Sequence, residues 1–428
     1  MSEYLITRRS SDPTRTGLVA KYLFVLWLVG ATALPVSFGF KNPAVRTMAL
    51  VWPVPLLLLM GRRRSFLAPA FAQRPWRFVG VALVFASASL SVTISPDPKL
   101  SMEMVLVTLA AMLICAGFWA IVGGDDLSPI RTYAWVSVAV FLIALARIPA
   151  YVDGRLTFGG MDANSVGLIL QSVTIASLAL KRVPVRVAGI LASMYVMSLT
   201  DSRSALIGTT LALLMYFALR RGTLLIWSMT AILLVSAALV AIGSQSVTPV
   251  TDYVSELLQL NNSYRGVSTG FTGRKQLWEE TIEIWQEHPL IGSGYRAIQD
   301  LLPQRLSSHD GYLEILGETG IFGALCMALF FSQGIRSLIV DAKGGSQVAQ
   351  LGLALTTGYL FVAIFERYFI NFGNPTSLLV LCMWLRPTTT RGLRGARIRY
   401  AVKMELIPEN LGDTYAYTYD RFNNRLSR

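Results

Sequence analysis

Residues 102–122 read MEMVLVTLAAMLICAGFWAIV, an apolar run that contains one charged residue, Glu103. A run of about 20 mostly apolar residues is long enough to cross the hydrocarbon core of a bilayer as a helix. Similar runs recur along the chain, in which 53% of the 428 residues are hydrophobic and only 15% are charged. Soluble globular domains carry about 25% charged residues. The sequence therefore predicts an all-α fold, a polytopic bundle of transmembrane helices.

The apolar runs predict about twelve spans. The first run could be a cleaved signal peptide, but eleven further candidates follow it and favour a retained first helix. The candidate spans are 19–39, 43–60, 76–94, 102–122, 131–149, 163–180, 184–200, 203–220, 223–243, 311–334, 349–369 and 372–386.

The net charge of +13 could indicate nucleic-acid binding, but the distribution of the basic residues indicates membrane topology instead. Lysine and arginine come in short groups between the apolar runs, as in cytoplasmic loops. With the N-terminus inside, most of these residues lie on the inner side. We therefore expect both termini in the cytoplasm of a multi-pass protein and no nucleic-acid partner.

The spans divide the chain into four parts: helices 1–9 in 1–243, a large outer loop in 244–310, helices 10–12 in 311–386, and a basic cytoplasmic tail in 387–428. The second half of the loop, Gly273 to His288, places apolar and acidic residues at helical spacing. It predicts an amphipathic helix lying on the membrane surface.

Polar residues that stand out near the spans fall on the outer face in this topology. Arg203 follows a very short outer turn and opens an apolar run, where a charge is costly unless it is paired or faces water. It is either an interfacial arginine that reaches the surface or a cation facing an outer cavity. The second reading suits a phosphate or carboxylate, because the guanidinium makes two parallel hydrogen bonds.

His309 lies where the large loop enters the next span, beside Asp310. A loop histidine is often inert, but an imidazole near a carboxylate can act as a general base at neutral pH. Glu318, inside that span, is expected to pair with an arginine. Two histidines and three dispersed cysteines argue against a metal site. The chain has no Walker-type glycine loop, so nucleotide hydrolysis is not expected.

Five segments together resemble the superfamily of O-antigen ligases and Wzy-type polymerases, over roughly residues 155–330. No single segment is specific, and the resemblance depends on their order, spacing and common side of the membrane. They are Arg155 to Asn164, Asp201-Ser202-Arg203-Ser204-Ala205, Gly273-Arg274-Lys275-Gln276-Leu277-Trp278, His288-Pro289-Leu290-Ile291-Gly292-Ser293-Gly294, and His309-Asp310-Gly311-Tyr312-Leu313-Glu314 with Glu318-Thr319-Gly320-Ile321-Phe322-Gly323.

The resemblance implies an inverting, metal-independent glycosyltransferase of the GT-C type that uses no cofactor. Its donor would be a glycan on undecaprenyl diphosphate, at the periplasmic face of the bacterial inner membrane. Arg203 and Arg274 would contact the diphosphate, and His309 would deprotonate the acceptor hydroxyl. The remaining candidate substrate-binding residues are Arg155, Asn164, Arg296, Tyr312 and Glu318.

Two positions depart from the pattern of the superfamily. Asp310 stands where asparagine is common, which could change the basicity of His309, and Asp162-Ala163 replaces the usual proline before Asn164. The motif wording is most similar to exopolysaccharide polymerases of the ExoQ type. We therefore expect polymerisation of carrier-linked repeat units, with a glycan acceptor, membrane lipids and other polysaccharide export components as partners. The alternatives are a ligase that transfers glycan to lipid A core and a transporter or flippase.

Overall fold

The computed structural model describes residues 15–38, 75–122, 125–152, 154–221, 274–302, 307–367, 369–371 and 373–386. The candidate spans 43–60 and 223–243, the first part of the large loop and the tail 387–428 lie outside the described residues. The N-terminus lies outside them as well.

The described chain is built almost entirely of α-helices. Ten of the twelve candidate spans correspond to helices in the structure. The helices are α1 (Arg15–Phe38), α2 (Pro75–Ser91), α3 (Pro98–Val122), α4 (Ser128–Arg147), α5 (Ala163–Ser177), α6 (Val183–Leu199), α7 (Arg203–Arg221), α8 (Arg274–Glu287), α9 (Ile298–Leu301), α10 (Gly311–Lys343), α11 (Gln347–Val362) and α12 (Pro375–Leu385), and a 3-10 turn, Val92–Ile94, follows α2.

Among the described residues, three helices are long and apolar enough to cross a membrane: α3, α4 and α10. Six further helices are apolar but shorter. These helices agree with a helical membrane protein, whereas the number of spans stays a prediction.

A short β-hairpin departs from the all-α prediction. Strands β1 (Ala150–Val152) and β2 (Arg155–Thr157) pair antiparallel between α4 and α5, with Val152 opposite Arg155. Gly154 adopts a φ of 74° in the turn, a backbone conformation that glycine takes without a steric penalty. The hairpin places Arg155 where its side chain reaches Asn164, at the beginning of α5.

The centre of the bundle is occupied by α5 and α12. All residues of α12 are buried, and so is α5 from Val166 onward. A helix that is apolar on every side is typical of such a central position. Side-chain bonds connect α12 to its neighbours: the Trp119 indole donates to the Cys382 carbonyl at 2.9 Å, and the Thr376 hydroxyl donates to the Leu168 carbonyl at 2.8 Å.

Helix α10 is interrupted at Gly320, whose φ of 65° and ψ of −172° are not helical. The segment after α8 pairs with this interruption, and we call the pairing the loop clamp. A Cβ at Gly320 would overlap the backbone of Leu290, and one at Gly292 would overlap that of Glu318. Four hydrogen bonds hold the loop clamp together. They run from Ser293 N–H to Gly317 O (2.8 Å), Gly294 N–H to Glu318 O (3.1 Å), Ile321 N–H to Pro289 O (2.9 Å) and Phe322 N–H to Leu290 O (3.1 Å).

The loop clamp fixes the position of α8, because the paired segment follows that helix directly. Helix α8 also packs on α10, where the buried Thr281 lies near Gly317. A helix runs from Arg274 to Glu287 within the segment predicted to be amphipathic, and it packs against α10, whereas its position on the membrane surface stays a prediction. This docking determines where Arg274, its first residue, lies.

A buried ionic network joins helices near the C-terminal end of α10. Arg386 is 1% exposed and donates to Asp341 at 2.5 Å, to Asp125 at 3.2 Å and to the hydroxyl of Ser346 at 3.1 Å. Asp341 is almost the full length of α10 away from His309, which precedes that helix. The network therefore lies at the opposite end of α10 from the candidate site.

Candidate functional site

The carboxylate of Glu366 contacts residues from three other parts of the chain. Its Oε1 accepts hydrogen bonds from Asn164 Nδ2 at 2.5 Å and from Arg274 Nη2 at 3.1 Å. Its Oε2 lies 3.2 Å from Nδ1 of His309. The side chain of Glu366 is only 2% exposed. A buried carboxylate is costly unless it is paired and hydrogen-bonded, and these three contacts supply both kinds of compensation.

The geometry of His309 suits a general base. Because a carboxylate accepts hydrogen bonds, the contact with Glu366 favours the tautomer that carries its proton on Nδ1, and in that neutral ring Nε2 has a lone pair. The side chain is 37% exposed, so a substrate can reach the ring. Ser307 fixes the backbone at this point: its hydroxyl accepts from His309 N–H at 3.1 Å and donates to Glu314 at 2.8 Å.

Arg155 and Asn164 extend the hydrogen-bonded cluster towards α7. Arg155 Nη2 donates to Asn164 Oδ1 at 2.6 Å, and its Nε donates to the Thr200 carbonyl at 2.9 Å. The same guanidinium reaches the Asp201 carbonyl at 3.3 Å. Arg155 therefore binds the turn that immediately precedes Arg203.

Several helices begin at this cluster. Helix α5 starts beside Asn164, α7 starts at Arg203, α8 starts at Arg274 and α10 starts after His309. The N-terminus of a helix carries positive partial charge and unpaired backbone N–H groups, which favour anions. Arg274 binds Glu366 directly, and Arg155 is connected to it through Asn164 and to the turn before Arg203 through the Asp201 carbonyl, so the arrangement suits an anionic ligand.

A second charged cluster lies further along α10, beside a small cavity. Glu314 and Glu318 line this cavity together with Arg296 and Arg367. Arg367 Nε lies 3.7 Å from Glu314, and both glutamates are buried. Burial alone lowers the pKa of Arg296, but its neighbours Tyr295 and Glu318 raise the pKa above the usual value. The sequence predicts that Glu318 pairs with an arginine, and Arg296 lies beside it at the cavity.

Arg296 and Tyr312 make hydrogen bonds within the protein. Arg296 Nη2 donates to the carbonyls of Phe369 at 2.5 Å and Ile370 at 2.9 Å, in the turn after α11. The Tyr312 hydroxyl donates to the Leu360 carbonyl at 2.9 Å, and its ring packs edge-on against Phe369. Both side chains thus hold the segment that carries Glu366.

Left-handed backbone conformations gather around these two clusters. Among the described residues, positive φ angles outside glycine occur at Asp201 (48°), Arg296 (62°), His309 (52°) and Ile370 (48°). Such angles cost free energy for residues with a Cβ and are often found at functional sites. All four residues belong to or adjoin the segments that form the clusters.

In the structure Asp310 caps a helix, whereas the sequence suggested that it is the carboxylate next to the imidazole of His309. Its Oδ1 accepts from the backbone N–H groups of Tyr312 and Leu313, both at 2.9 Å, so it caps α10. Burial raises the pKa of the Asp310 carboxyl, and these two hydrogen bonds oppose the shift. The carboxylate in contact with the His309 ring is that of Glu366, which lies near the end of the candidate span 349–369.

The chemistry available at the site is that of fixed cations and one base. Among the residues that the structure describes, no three His, Cys, Asp or Glu side chains are grouped as a metal site requires. The cations can stabilise a departing anion, and His309 can take a proton.

The O-antigen ligase family model matches residues 188–328 of the chain. The matched segment includes Arg203, Arg274 and His309, starts after Asn164 and stops before Glu366. No curated protein matches the chain. The resemblance stated from the motifs is thereby confirmed at the level of the superfamily. Over about a third of its length the chain thus matches the O-antigen ligase family model, which supports its resemblance to the superfamily of O-antigen ligases and Wzy-type polymerases.

Proposed function

We propose that this protein polymerises oligosaccharide repeat units carried on undecaprenyl diphosphate into an exopolysaccharide. The observation that supports this proposal most strongly is the contact of Glu366 with both Arg274 and His309. It brings a phosphate-binding side chain and a base together at one carboxylate. The donor already carries a good leaving group, so glycosyl transfer needs no cofactor. It needs a cation to stabilise the departing diphosphate and a base to take the proton of the acceptor hydroxyl.

In the proposed reaction, the acceptor hydroxyl oxygen attacks C1 of the donor sugar, and the bond from C1 to the phosphate oxygen breaks. The electron pair leaves with the diphosphate, whose negative charge Arg274 and Arg203 stabilise. The hydroxyl proton moves to Nε2 of His309. Attack from the side opposite the leaving group inverts the anomeric centre.

We assign positioning roles to four of the other candidate residues. Arg155 and Asn164 hold the turn before Arg203 and the carboxylate of Glu366. Arg296 holds the segment after α11, and Tyr312 holds the last turn of α11. Their hydrogen bonds favour this role over the direct contacts with substrate that the sequence suggested. Glu318, buried beside Arg296, completes the second cluster.

We further propose the topology that the charge distribution favours: twelve spans, both termini in the cytoplasm and the site on the periplasmic face of the inner membrane. The three cysteines are buried, so they give little background in a labelling experiment. Arg203→Cys and His309→Cys are expected to react with a membrane-impermeant thiol reagent added from the periplasmic side. Labelling of the two positions from opposite sides of the membrane would contradict a shared site.

A ligase that transfers finished glycan to lipid A core is the second candidate, because the matching family carries that description. Deletion of the gene distinguishes the two. Single repeat units left on the carrier support a polymerase, whereas full-length chains that accumulate without attachment to core support a ligase.

The direct test uses purified protein, carrier-linked repeat units and no nucleotide. Longer products are expected from the wild type. His309→Asn should reduce elongation at least 100-fold, within the range for loss of a general base. Asparagine is chosen because it tolerates the left-handed backbone found at this position better than alanine does.

His288→Asn is the matched control, since it replaces the other histidine of the chain and should leave elongation nearly unchanged. Near-normal elongation by His309→Asn would refute the assignment of the base. Intact donor binding with no elongation by the wild type would favour a transporter.

A further inference from the structure

Glu366 serves its partners through two separate oxygens. Oε1 faces Arg274 and Asn164, whereas Oε2 faces His309. One negative charge is therefore shared between a cation on α8 and an imidazole ahead of α10. When Arg274 leaves Oε1, its positive charge no longer offsets the charge of the carboxylate. The imidazole of His309 then experiences more of the negative charge of Glu366.

The side chain of Arg274 can move away from Glu366 without unfolding α8 or the segment that carries Glu366. It is the first residue of α8 and 20% exposed, while Glu366 lies on the segment after α11. A guanidinium uses the same N–H groups to bind a carboxylate or a phosphate. A diphosphate carries more negative charge than one carboxylate, so it competes effectively for Arg274.

We propose that Glu366 is an internal counter-anion that holds Arg274 until the diphosphate of the donor takes it over. This inference rests on the proposed function. Once Arg274 moves to the diphosphate, Glu366 is left to stabilise the imidazolium that forms when His309 accepts the acceptor proton. The base is thereby strengthened only when the donor is in place, and Asn164 keeps the carboxylate oriented throughout.

The other charged groups near His309 do not replace Glu366 in this role. Asp310 is engaged with the backbone N–H groups of Tyr312 and Leu313. Glu314 is connected to His309 only through Ser307, which bonds the backbone and not the ring. The contact that reaches the imidazole is that of Glu366, at 3.2 Å.

The experiment measures two quantities in Glu366→Gln, which keeps the side-chain size and removes the charge. Affinity for inorganic pyrophosphate, measured by calorimetry, should rise about threefold to tenfold, because the competitor for Arg274 is lost. The single-turnover rate of transfer should fall at least tenfold, because the imidazolium loses its counter-charge. A merely structural role would lower both quantities.

Two further variants separate specific from general effects. Glu279→Gln removes the same charge from an exposed position of α8 and should change pyrophosphate affinity less than twofold. Glu366→Asp keeps the charge, shortens the reach to Arg274 and should tighten pyrophosphate binding in the same direction by a smaller factor. It also provides the test if Glu366→Gln does not fold.

The outcomes distinguish this inference from the proposed function. If the wild type neither binds pyrophosphate nor elongates carrier-linked repeat units, the proposed function is wrong. If the wild type binds pyrophosphate and Arg274→Gln weakens it, but neither Glu366 variant tightens it, only the counter-anion role is overturned.

Discussion

Replacement of Gly320 by alanine should dismantle the loop clamp. The added Cβ would overlap the backbone of Leu290, and the backbone angles at Gly320 are nearly exclusive to glycine. Four hydrogen bonds depend on this approach, each with a net contribution of about 1 kcal/mol. Together with about 1–3 kcal/mol of backbone strain, the loss of stability should be several kcal/mol.

Gly345→Ala is the matched control for this prediction. Gly345 also has a positive φ, 90°, but nothing lies within 4 Å of an added Cβ. It should cost only the conformational penalty of about 1–2 kcal/mol. The difference between the two variants isolates the contribution of the loop clamp.

The assay compares midpoints of thermal inactivation in detergent with rates of glycan transfer below that temperature. Gly320→Ala should inactivate at a clearly lower temperature than Gly345→Ala. Its transfer rate should fall roughly 100-fold, because a displacement of α8 by about 1 Å misplaces Arg274. Equal midpoints and equal rates in the two variants would refute the role given to the loop clamp.

Two other predictions concern capping and the buried ionic network. Asp310→Asn keeps an oxygen for the two backbone donors and should retain stability and transfer, whereas Asp310→Ala should lose about 1 kcal/mol of stability. A tenfold loss of transfer in Asp310→Asn would instead indicate an electrostatic effect on His309. Arg386→Met leaves Asp341 buried beside an apolar side chain and should cost about 3–5 kcal/mol, read from the inactivation midpoint. Adding Asp341→Leu should recover part of that loss, and failure to recover any would contradict the ion-pair explanation.

The helices could be predicted from sequence because burial in lipid leaves a strong local signal. An apolar run such as 102–122 identifies a helix without any knowledge of its neighbours, and α3 includes that run. The ends were less certain: the run 349–369 corresponds to a helix that stops at Val362. The chain after Val362 turns to form the site, and hydropathy does not register this change.

The site was only partly predictable, because its central contact joins distant residues. Arg274 and His309 could be singled out as a cation and an imidazole on the outer face. Glu366 lies near the end of the candidate span 349–369, and its bond to Asn164 connects positions 202 residues apart. The signal that could have identified it is an acidic side chain at the end of an otherwise apolar run, where a charge needs partners.

The location of α12 has a consequence for the biosynthesis of this protein. Membrane insertion proceeds from the N-terminus, yet the segment that fills the middle of the assembly comes late in the chain. Until it arrives, the indole of Trp119 lacks the acceptor that it has in the finished protein. A chain that ends before Pro375 therefore leaves the faces of α3 and α5 that pack on α12 without their partner.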